Sequence, residues 1–263
     1  VDFVEVYNRS SKIIDLKSPF ISQYDPINNV SLSKTIITDT TLLIYPNQYI
    51  LLSENSNAVK SQYNNTNSNG FVDIKDLPTM NIASGAICLS TNTIVVDYFK
   101  YNENMHYALL NTTKGVSLER IDFNRPTNDR TNWHSASQTA GFATPAYQNS
   151  EYMNTQSAQN SIELNHELFS PDEDGVQDVL TINYHFDKPG YVGNISIYDS
   201  KGRLTRNLIR SELLGTNGSY SWDGINENRE KSHIGIYIIY FEAFDLSGNV
   251  KQYKKSCVLA GKL

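Results

Sequence analysis

The chain has 263 residues, of which 39% are hydrophobic and 19% are charged. This balance is typical of a folded globular protein and excludes a disordered chain, while the length allows one large domain or two ordinary ones. The net charge of −6, without any Lys- or Arg-rich run, excludes the clustered basic face that nucleic-acid binding requires. The 29 Asn and 17 Tyr residues favour strands joined by many turns over helices.

The first half of the chain, to about residue 149, predicts short strands without a convincing helical period. The predicted strands are 1–7, 12–16, 41–45, 48–53, 86–90, 93–100 and 115–121. Pro46 and Asn47 predict a hairpin turn between the third and fourth of these strands, and Thr91 and Asn92 join a second pair. We expect 55–70, which is rich in Asn and Ser, to be an exposed loop.

The second half predicts another set of strands, after a linker at 151–160 that has almost no apolar side chain able to pack. The predicted strands are 164–170, 180–186, 192–198, 236–244 and 250–259. Ile182, Tyr184 and Phe186 alternate with polar residues, as in a half-buried strand. The strand at 236–244 is apolar on both faces, which is typical of a central position in a sheet. Strands at this spacing predict a β-sandwich of about 100 residues.

The cysteines predict neither a metal site nor a disulfide, and the apolar stretches predict no membrane-spanning helix. Cys88 and Cys257 lie far apart and have no metal-ligand spacing, so we expect two buried free thiols. The best apolar stretch, 234–241, is much shorter than the about 20 residues of a membrane-spanning helix. The chain begins at Val1 inside a predicted strand and shows no signal peptide, which predicts a truncated or processed piece of a longer protein.

Four separated pieces of the first half occur in a recognisable order. They are FVEVYN (3–8) with IDL (14–16), YILLS (49–53), SLERI (117–121), and Trp133 followed by Thr144, Pro145 and Asn149. Together they resemble the lamin tail domain, whose fold is immunoglobulin-like. The family's opening strand is absent, and its usual Gly-Trp after IDL is replaced by Ser18, Pro19 and Phe20.

A second set of motifs covers roughly the last hundred residues. It consists of FSPDEDGVQD (169–178), IYDSKGR (197–203), WDG (222–224), GIY (235–237), and Asp245 with Gly248. These motifs are similar to the C-terminal immunoglobulin-like domain of bacterial surface and secreted proteins, of the flagellar hook-cap and gliding-associated type. Glu173 stands where that family usually has Gly or Asn.

The two resemblances imply an all-β chain with two tandem immunoglobulin-like β-sandwich domains, 1–150 and 161–263. Their pairing resembles surface or secreted proteins of Bacteroidota and implies an extracellular, outer-surface or periplasmic location. The implied function is a non-catalytic spacer, anchoring or adhesion module that contacts a protein or glycan. The alternative is the accessory tail of a secreted hydrolase with an upstream catalytic domain, the last domain serving as an export signal. We expect a monomer in isolation and no nucleic-acid partner.

The loop 172–178 is the sharpest chemical feature. Asp172, Asp174 and Asp178 occupy relative positions 1, 3 and 7 around Gly175, so their carboxylates can converge on one cation. Ca²⁺ binds about six to eight oxygens, including backbone carbonyls. We therefore predict a Ca²⁺ site formed by these three side chains and the carbonyl of Val176. The alternative is a tight turn in which the Asp side chains accept backbone N–H bonds.

Other candidate sites have structural interpretations. The mixed charges of 119–130 are typical of a solvated ion-pair network, and Trp133 and Trp222 are expected to pack sandwich edges with their indole N–H groups bonded to loops. The five histidines have no metal-binding spacing, and no phosphate loop or nucleophile-elbow motif occurs. The sequence therefore predicts no catalytic residues and no enzyme activity.

Overall fold

The computed structural model describes residues 1–63, 69–153 and 159–261. Within them lie nineteen β-strands, one α-helix and two short 3-10 helices, which confirms the all-β prediction. The chain divides into two compact units, one of Val1–Ala136 with Ala140–Tyr152 and one of Ser137–Thr139 with Met153–Leu263. The predicted domain limits and the linker at 151–160 stay predictions, and residues 154–158 lie outside the described residues.

The first unit contains eleven strands. In chain order they are β1 (Val4–Tyr7), β2 (Ile14–Asp15), β3 (Phe20–Asp25), β4 (Val30–Ile36), β5 (Leu43–Ile44), β6 (Tyr49–Ser53), β7 (Phe71–Asp73), β8 (Ser84–Ser90), β9 (Val95–Asn102), β10 (Leu118–Arg120) and β11 (Trp133–Ser135). The helix α1 (Ser56–Gln62) follows β6, and 3-10 helices lie at Glu103–Met105 and Arg130–Asn132. Across the described part of the chain, no helix is long and apolar enough to cross a membrane.

The sheets of the first unit form a sandwich. One is the antiparallel sheet β4-β3-β8-β9 and the other is β1-β6-β7, while β2-β5 and β10-β11 are separate pairs. Ile21 and Ile87 from the first sheet pack with Ile50 and Leu52 from the second in one hydrophobic cluster. Leu51 points the other way into a smaller cluster with α1, which explains why β6 is a continuous apolar run.

The second unit contains the remaining eight strands. They are β12 (Ser161–Leu164), β13 (Leu168–Phe169), β14 (Leu180–His185), β15 (Val192–Asp199), β16 (Leu204–Leu213), β17 (Asn217–Trp222), β18 (Gly235–Phe244) and β19 (Val250–Leu259). They form the sheets β12-β14-β17 and β13-β19-β18-β15-β16, so β18 is central as predicted. Both sheets contribute to one hydrophobic cluster, in which Ile182 and Tyr184 of β14 meet Phe241 of β18. The two-sandwich, immunoglobulin-like prediction is therefore confirmed.

Two local predictions in the first unit are wrong. The strands around Pro46 do not form a hairpin, because β5 pairs with β2 while β6 pairs with β1 and β7. The buried side chain of Asn8 holds this corner, since its amide donates to the carbonyls of Lys12 at 2.8 Å and Ile44 at 3.0 Å. The predicted turn therefore exists, with Gln48 N–H donating to Tyr45 O at 3.1 Å, but it carries the chain between sheets.

The predicted loop 55–70 contains α1, and residues 64–68 of that loop lie outside the described residues. Asn55 caps the helix by accepting the N–H of Ala58 at 3.0 Å, and Val59 is fully buried. The Asn-rich composition predicted a loop because Asn favours turns and helix caps alike. The prediction also missed β3 and β4, whereas the two free thiols, Cys88 and Cys257, are buried as expected.

Candidate functional site

The loop 172–178 connects β13 to β14 and coils tightly. Glu173, Gly175 and Gln177 have positive φ angles of 66°, 87° and 54°. The N–H of Ser170 donates to the carbonyl of Gln177 at 2.9 Å, which closes the base of the loop. Left-handed backbone of this kind is typical of tight turns.

The structure brings together the three predicted carboxylate ligands. One oxygen from each of Asp172, Asp174 and Asp178 lies within 4.8 Å of the other two. Asp174 is exposed, and Asp172 and Asp178 are half-buried. The N–H of Val176 donates to Asp174 Oδ1 at 2.8 Å, and the ligand role of the Val176 carbonyl stays a prediction.

The same carboxylates also accept hydrogen bonds from the loop backbone. Asp178 accepts the N–H groups of Glu173 at 2.7 Å and of Gly175 at 2.8 Å, and Asp172 accepts that of Asp174 at 3.4 Å. These are the bonds that the turn interpretation predicts. They leave carboxylate lone pairs free, because an ionised carboxylate offers about four acceptor positions. The loop geometry is therefore compatible with a cation and with a turn alone.

A second carboxylate cluster, inside the first unit, was missed by the sequence reasoning. Glu119 of β10 is 4% exposed and Glu151 is 0% exposed. Glu119 accepts Thr144 Oγ1–H at 2.6 Å, Ser150 Oγ–H at 2.8 Å and the N–H of Glu151 at 3.1 Å. Burial raises the pKa of Glu119 to about 7, although these hydrogen bonds act in the opposite direction.

Glu5 of β1 belongs to the same cluster. The residue as a whole is half-buried, but its carboxyl group is enclosed by protein and accepts the N–H of Ala146 at 2.7 Å. Burial raises the pKa of Glu5 to about 8, and the nearby charge of Glu119 adds to the rise. The two carboxyls therefore retain protons at pH values where an exposed Glu is ionised.

Glu151 lies near His134, but the two side chains do not form a hydrogen bond. His134 Nδ1 lies 3.6 Å from Glu151 Oε1, which is short enough for an ion pair but too long for a hydrogen bond. Within the described residues, neither Glu151 oxygen has a hydrogen-bond partner. Burial raises the pKa of Glu151. Burial acts to lower the pKa of His134, but the Glu151 carboxylate acts to raise it, and the pKa of His134 is raised overall. His106 lies beside them, its Nδ1 2.9 Å from Ser135 Oγ, and burial lowers its pKa.

The buried cluster joins the separate pieces that resemble the lamin tail domain. Glu5 comes from FVEVYN, Glu119 from SLERI, and Thr144 and Asn149 from the last piece. The side chain of Asn149 donates to the carbonyl of Arg120 at 3.0 Å. These motif residues connect distant parts of the unit. Because they lie far apart in the sequence, their spacing did not predict that their carboxyl groups form one cluster.

The two tryptophans and the mixed-charge stretch have structural roles. Trp133 Nε1–H donates to Thr127 O at 2.6 Å, and Trp222 Nε1–H donates to Ile225 O at 3.0 Å. Arg125 pairs with Asp129 at 2.6 Å, as expected for a surface network. Arg120 differs, because its side chain is only 14% exposed and its ion-pair partner is Asp97, at 3.6 Å.

Comparison with known proteins gives no family for this chain. No family model and no curated protein matches it. Among solved structures, it is similar to CopC from Methylosinus trichosporium OB3b, with 16% identity over 33% of this chain and 78% of that one and a TM-score of 0.23. The lamin-tail and hook-cap resemblances stay predictions.

Two proteins of Porphyromonas gingivalis also match. Dimeric latent PorU has 9% identity over 99% of this chain and 18% of its own length, with a TM-score of 0.31. PorZ, an essential surface component of the type-IX secretion system, has 14% identity over 85% of this chain and 26% of its own, with a TM-score of 0.30. This chain thus spans a small part of either protein, and at these TM-scores no function follows from the likeness.

Proposed function

We propose that this chain is a non-catalytic structural and binding module of an exported bacterial protein, located at the cell surface or in the medium. The observation that carries the proposal is that carboxyl groups of the first unit are buried and hydrogen-bonded within the fold. Glu119 and Glu151 are buried, and Glu119 holds the segment 144–151 to β10 by three hydrogen bonds. Carboxyls used in this way stabilise a fold and do not meet a substrate.

The resemblance of 169–178 and 197–203 to C-terminal domains of bacterial surface proteins supports export. The test is a reporter fused to the whole chain and produced in a bacterium that exports such proteins. We expect the fused reporter to become accessible to protease added outside the cells, while the reporter alone does not. A fused reporter that stays protected inside the cell would contradict the export proposal.

Binding without catalysis is tested with the purified chain. We expect saturable retention on surface glycans or surface proteins of the producing bacterium, with no turnover of ester, glycoside, peptide or phosphodiester substrates. The decisive contrary result is turnover that a single substitution abolishes while the chain remains folded, because this requires an assembled catalytic site.

For the loop 172–178 we propose Ca²⁺ as the ligand. Its support is the convergence of three carboxylates within 4.8 Å, which would repel one another without a cation between them. Bound Ca²⁺ would fix the loop at the entrance to β14 and so stiffen the second unit. Isothermal titration of the purified chain with Ca²⁺, using Asp174→Asn as the variant and Asp187→Asn as the matched control, tests this proposal. Equal heats for all three proteins would contradict it.

A further inference from the structure

The segment 140–152 ends the first unit and is attached to its strands both through carboxyl groups and through bonds to backbone carbonyls. Phe142 O accepts the N–H of Ser117 at 2.9 Å, and the side chain of Asn149 donates to Arg120 O at 3.0 Å. Glu5 binds the N–H of Ala146, and Glu119 binds two hydroxyls and the N–H of Glu151. Ala143 and Ala146 seal the contact, since both are buried in the cluster that contains Leu51 and Val59. The protonation of Glu5 and Glu119, and of Glu151 within the segment, therefore affects how firmly this segment is held.

Charged and titratable groups face these carboxyls from every neighbouring element. They are Tyr49 of β6, His134 of β11, His106 after the 3-10 helix at Glu103–Met105, and Tyr147 and Glu151 of the segment itself. No ion pair among the described residues includes Glu5 or Glu119. Among the groups just named, only His134 and His106 can carry a positive charge, and a histidine loses that charge as the pH rises.

We infer that Glu5, Glu119 and Glu151 form a proton-operated latch that holds the segment 140–152 when the carboxyls carry protons and loosens it when they ionise. With a proton on Oε1, Glu119 can donate to Thr144 Oγ1, while its Oε2 still accepts Ser150 Oγ–H and the N–H of Glu151, so the closed state needs no negative charge. When all three are ionised and His134 is neutral, three negative charges lie in the interior without a positive one. That state is relieved when the segment moves and water reaches the carboxylates.

The direction of the pH response follows from linkage. The pKa of Glu5 is about 8 and that of Glu119 about 7 in the closed state, against 4.5 for either group in water. The closed state binds more protons than the open one, so its stability is complete below pH 4.5 and falls as the pH rises towards 8.

Hydrogen exchange of the whole chain tests the latch. Exchange is followed by mass spectrometry between pH 5.5 and pH 8.5, with labelling times scaled to the intrinsic rate at each pH. We expect protection of the peptide that contains Ala146 and Glu151 to fall by at least about tenfold over this range, because each pKa unit between closed and open states is a factor of ten. Peptides of β14 and β18 in the second unit should keep their protection.

Substitutions distinguish the latch from a general destabilisation of the chain at high pH. In the double variant Glu5→Gln and Glu119→Gln the fall in protection should be much smaller, because an amide imitates the protonated carboxyl and only Glu151 of the latch can still ionise. Glu103→Gln, an exposed position of the same unit, should behave like the natural chain. Protection that is constant in the natural chain, or that falls equally in the double variant, would overturn the inference.

A second measurement needs no variant and decides the matter if the double variant does not fold. The side-chain carboxyl carbons of Glu5 and Glu119 are followed by NMR in the natural chain as the pH changes. Titration midpoints near the pKa values of about 8 and about 7 support the latch. Midpoints near 4.5 for both would overturn it, because the carboxyls would then already be ionised in the closed state.

Discussion

The two units build their interiors in different ways. The second unit has one continuous hydrophobic cluster, in which Phe169, Trp222 and Phe241 are fully buried. The first unit has two smaller clusters and also buries polar residues such as Asn8, Glu119 and Glu151. Two sandwiches of similar architecture can therefore depend on different forces, one mainly on apolar burial and the other also on hydrogen bonds whose strength varies with protonation.

The acidic residues show the same contrast. In the second unit, Asp199 at the end of β15 accepts the N–H groups of Arg203 and Lys201, and these bonds lower its pKa. In the first unit, burial raises the pKa of Glu5 and Glu119. Surroundings thus decide whether a carboxyl in this chain holds a turn as an anion or holds a segment as an acid.

The largest expected effect is a destabilisation of the second unit alone. Phe241→Ala removes a fully buried ring from β18 and should lower the free energy of unfolding of the second unit by about 3–5 kcal/mol. Fluorescence follows each unit separately in single-tryptophan variants. In Trp222→Phe the remaining Trp133 reports on the first unit, and in Trp133→Phe the remaining Trp222 reports on the second. Equal destabilisation of both transitions would show that the units do not unfold independently.

A change of pH should act on the other unit. Between pH 5.5 and pH 8.5 we expect the first unit to lose on the order of 3 kcal/mol of unfolding free energy, because the native state holds protons on Glu5 and Glu119 that the unfolded chain releases. The second unit should hardly respond, since the lowered pKa of Asp199 lies below this range. Urea titrations at both pH values measure the effect, and parallel shifts of the two transitions would refute the contrast.

A single polar substitution sharpens the comparison. Asn8→Ala removes two hydrogen bonds to backbone carbonyls, a buried one to Ile44 and a part-buried one to Lys12, and we expect a loss of about 2 kcal/mol in the first unit. Asn228→Ala in the second unit is the matched control, because this Asn is exposed. A loss below about 0.5 kcal/mol for Asn8→Ala would mean that water replaces these bonds without cost.

The smallest expected effect concerns the loop 172–178. If Ca²⁺ binds in the millimolar range, 10 mM Ca²⁺ should stabilise the second unit by about 1 kcal/mol, or several degrees in Tm, and Asp178→Asn should abolish the gain. The first unit serves as the internal control because it does not contain the loop 172–178. An unchanged midpoint of the Trp222 transition at this Ca²⁺ concentration would leave the loop as a turn alone.

Local patterns predicted β13, β14, β15, β18 and β19 of the second unit but missed β16 and β17. The alternation of Ile182, Tyr184 and Phe186 and the continuous apolar run of β18 identified a half-buried and a central strand, and the structure has both. In the first unit the two-residue strands β2 and β5 lie within predicted strands, but β3, β4, β7 and β11 were missed. The strands β7 and β11 have three residues each, too few to show a period. The helix α1 was hidden in an Asn-rich stretch for the same reason, since seven residues span only two turns.

The sequence by itself determined the fold class, the approximate strands and the convergence of Asp172, Asp174 and Asp178, because these depend on contacts between near neighbours in the chain. Only the tertiary structure decided that Glu5, Glu119 and Glu151 share one interior, since residues far apart in sequence meet there. Whether a carboxyl is ionised depends on the water and charges around it, and these are known only when the chain has folded.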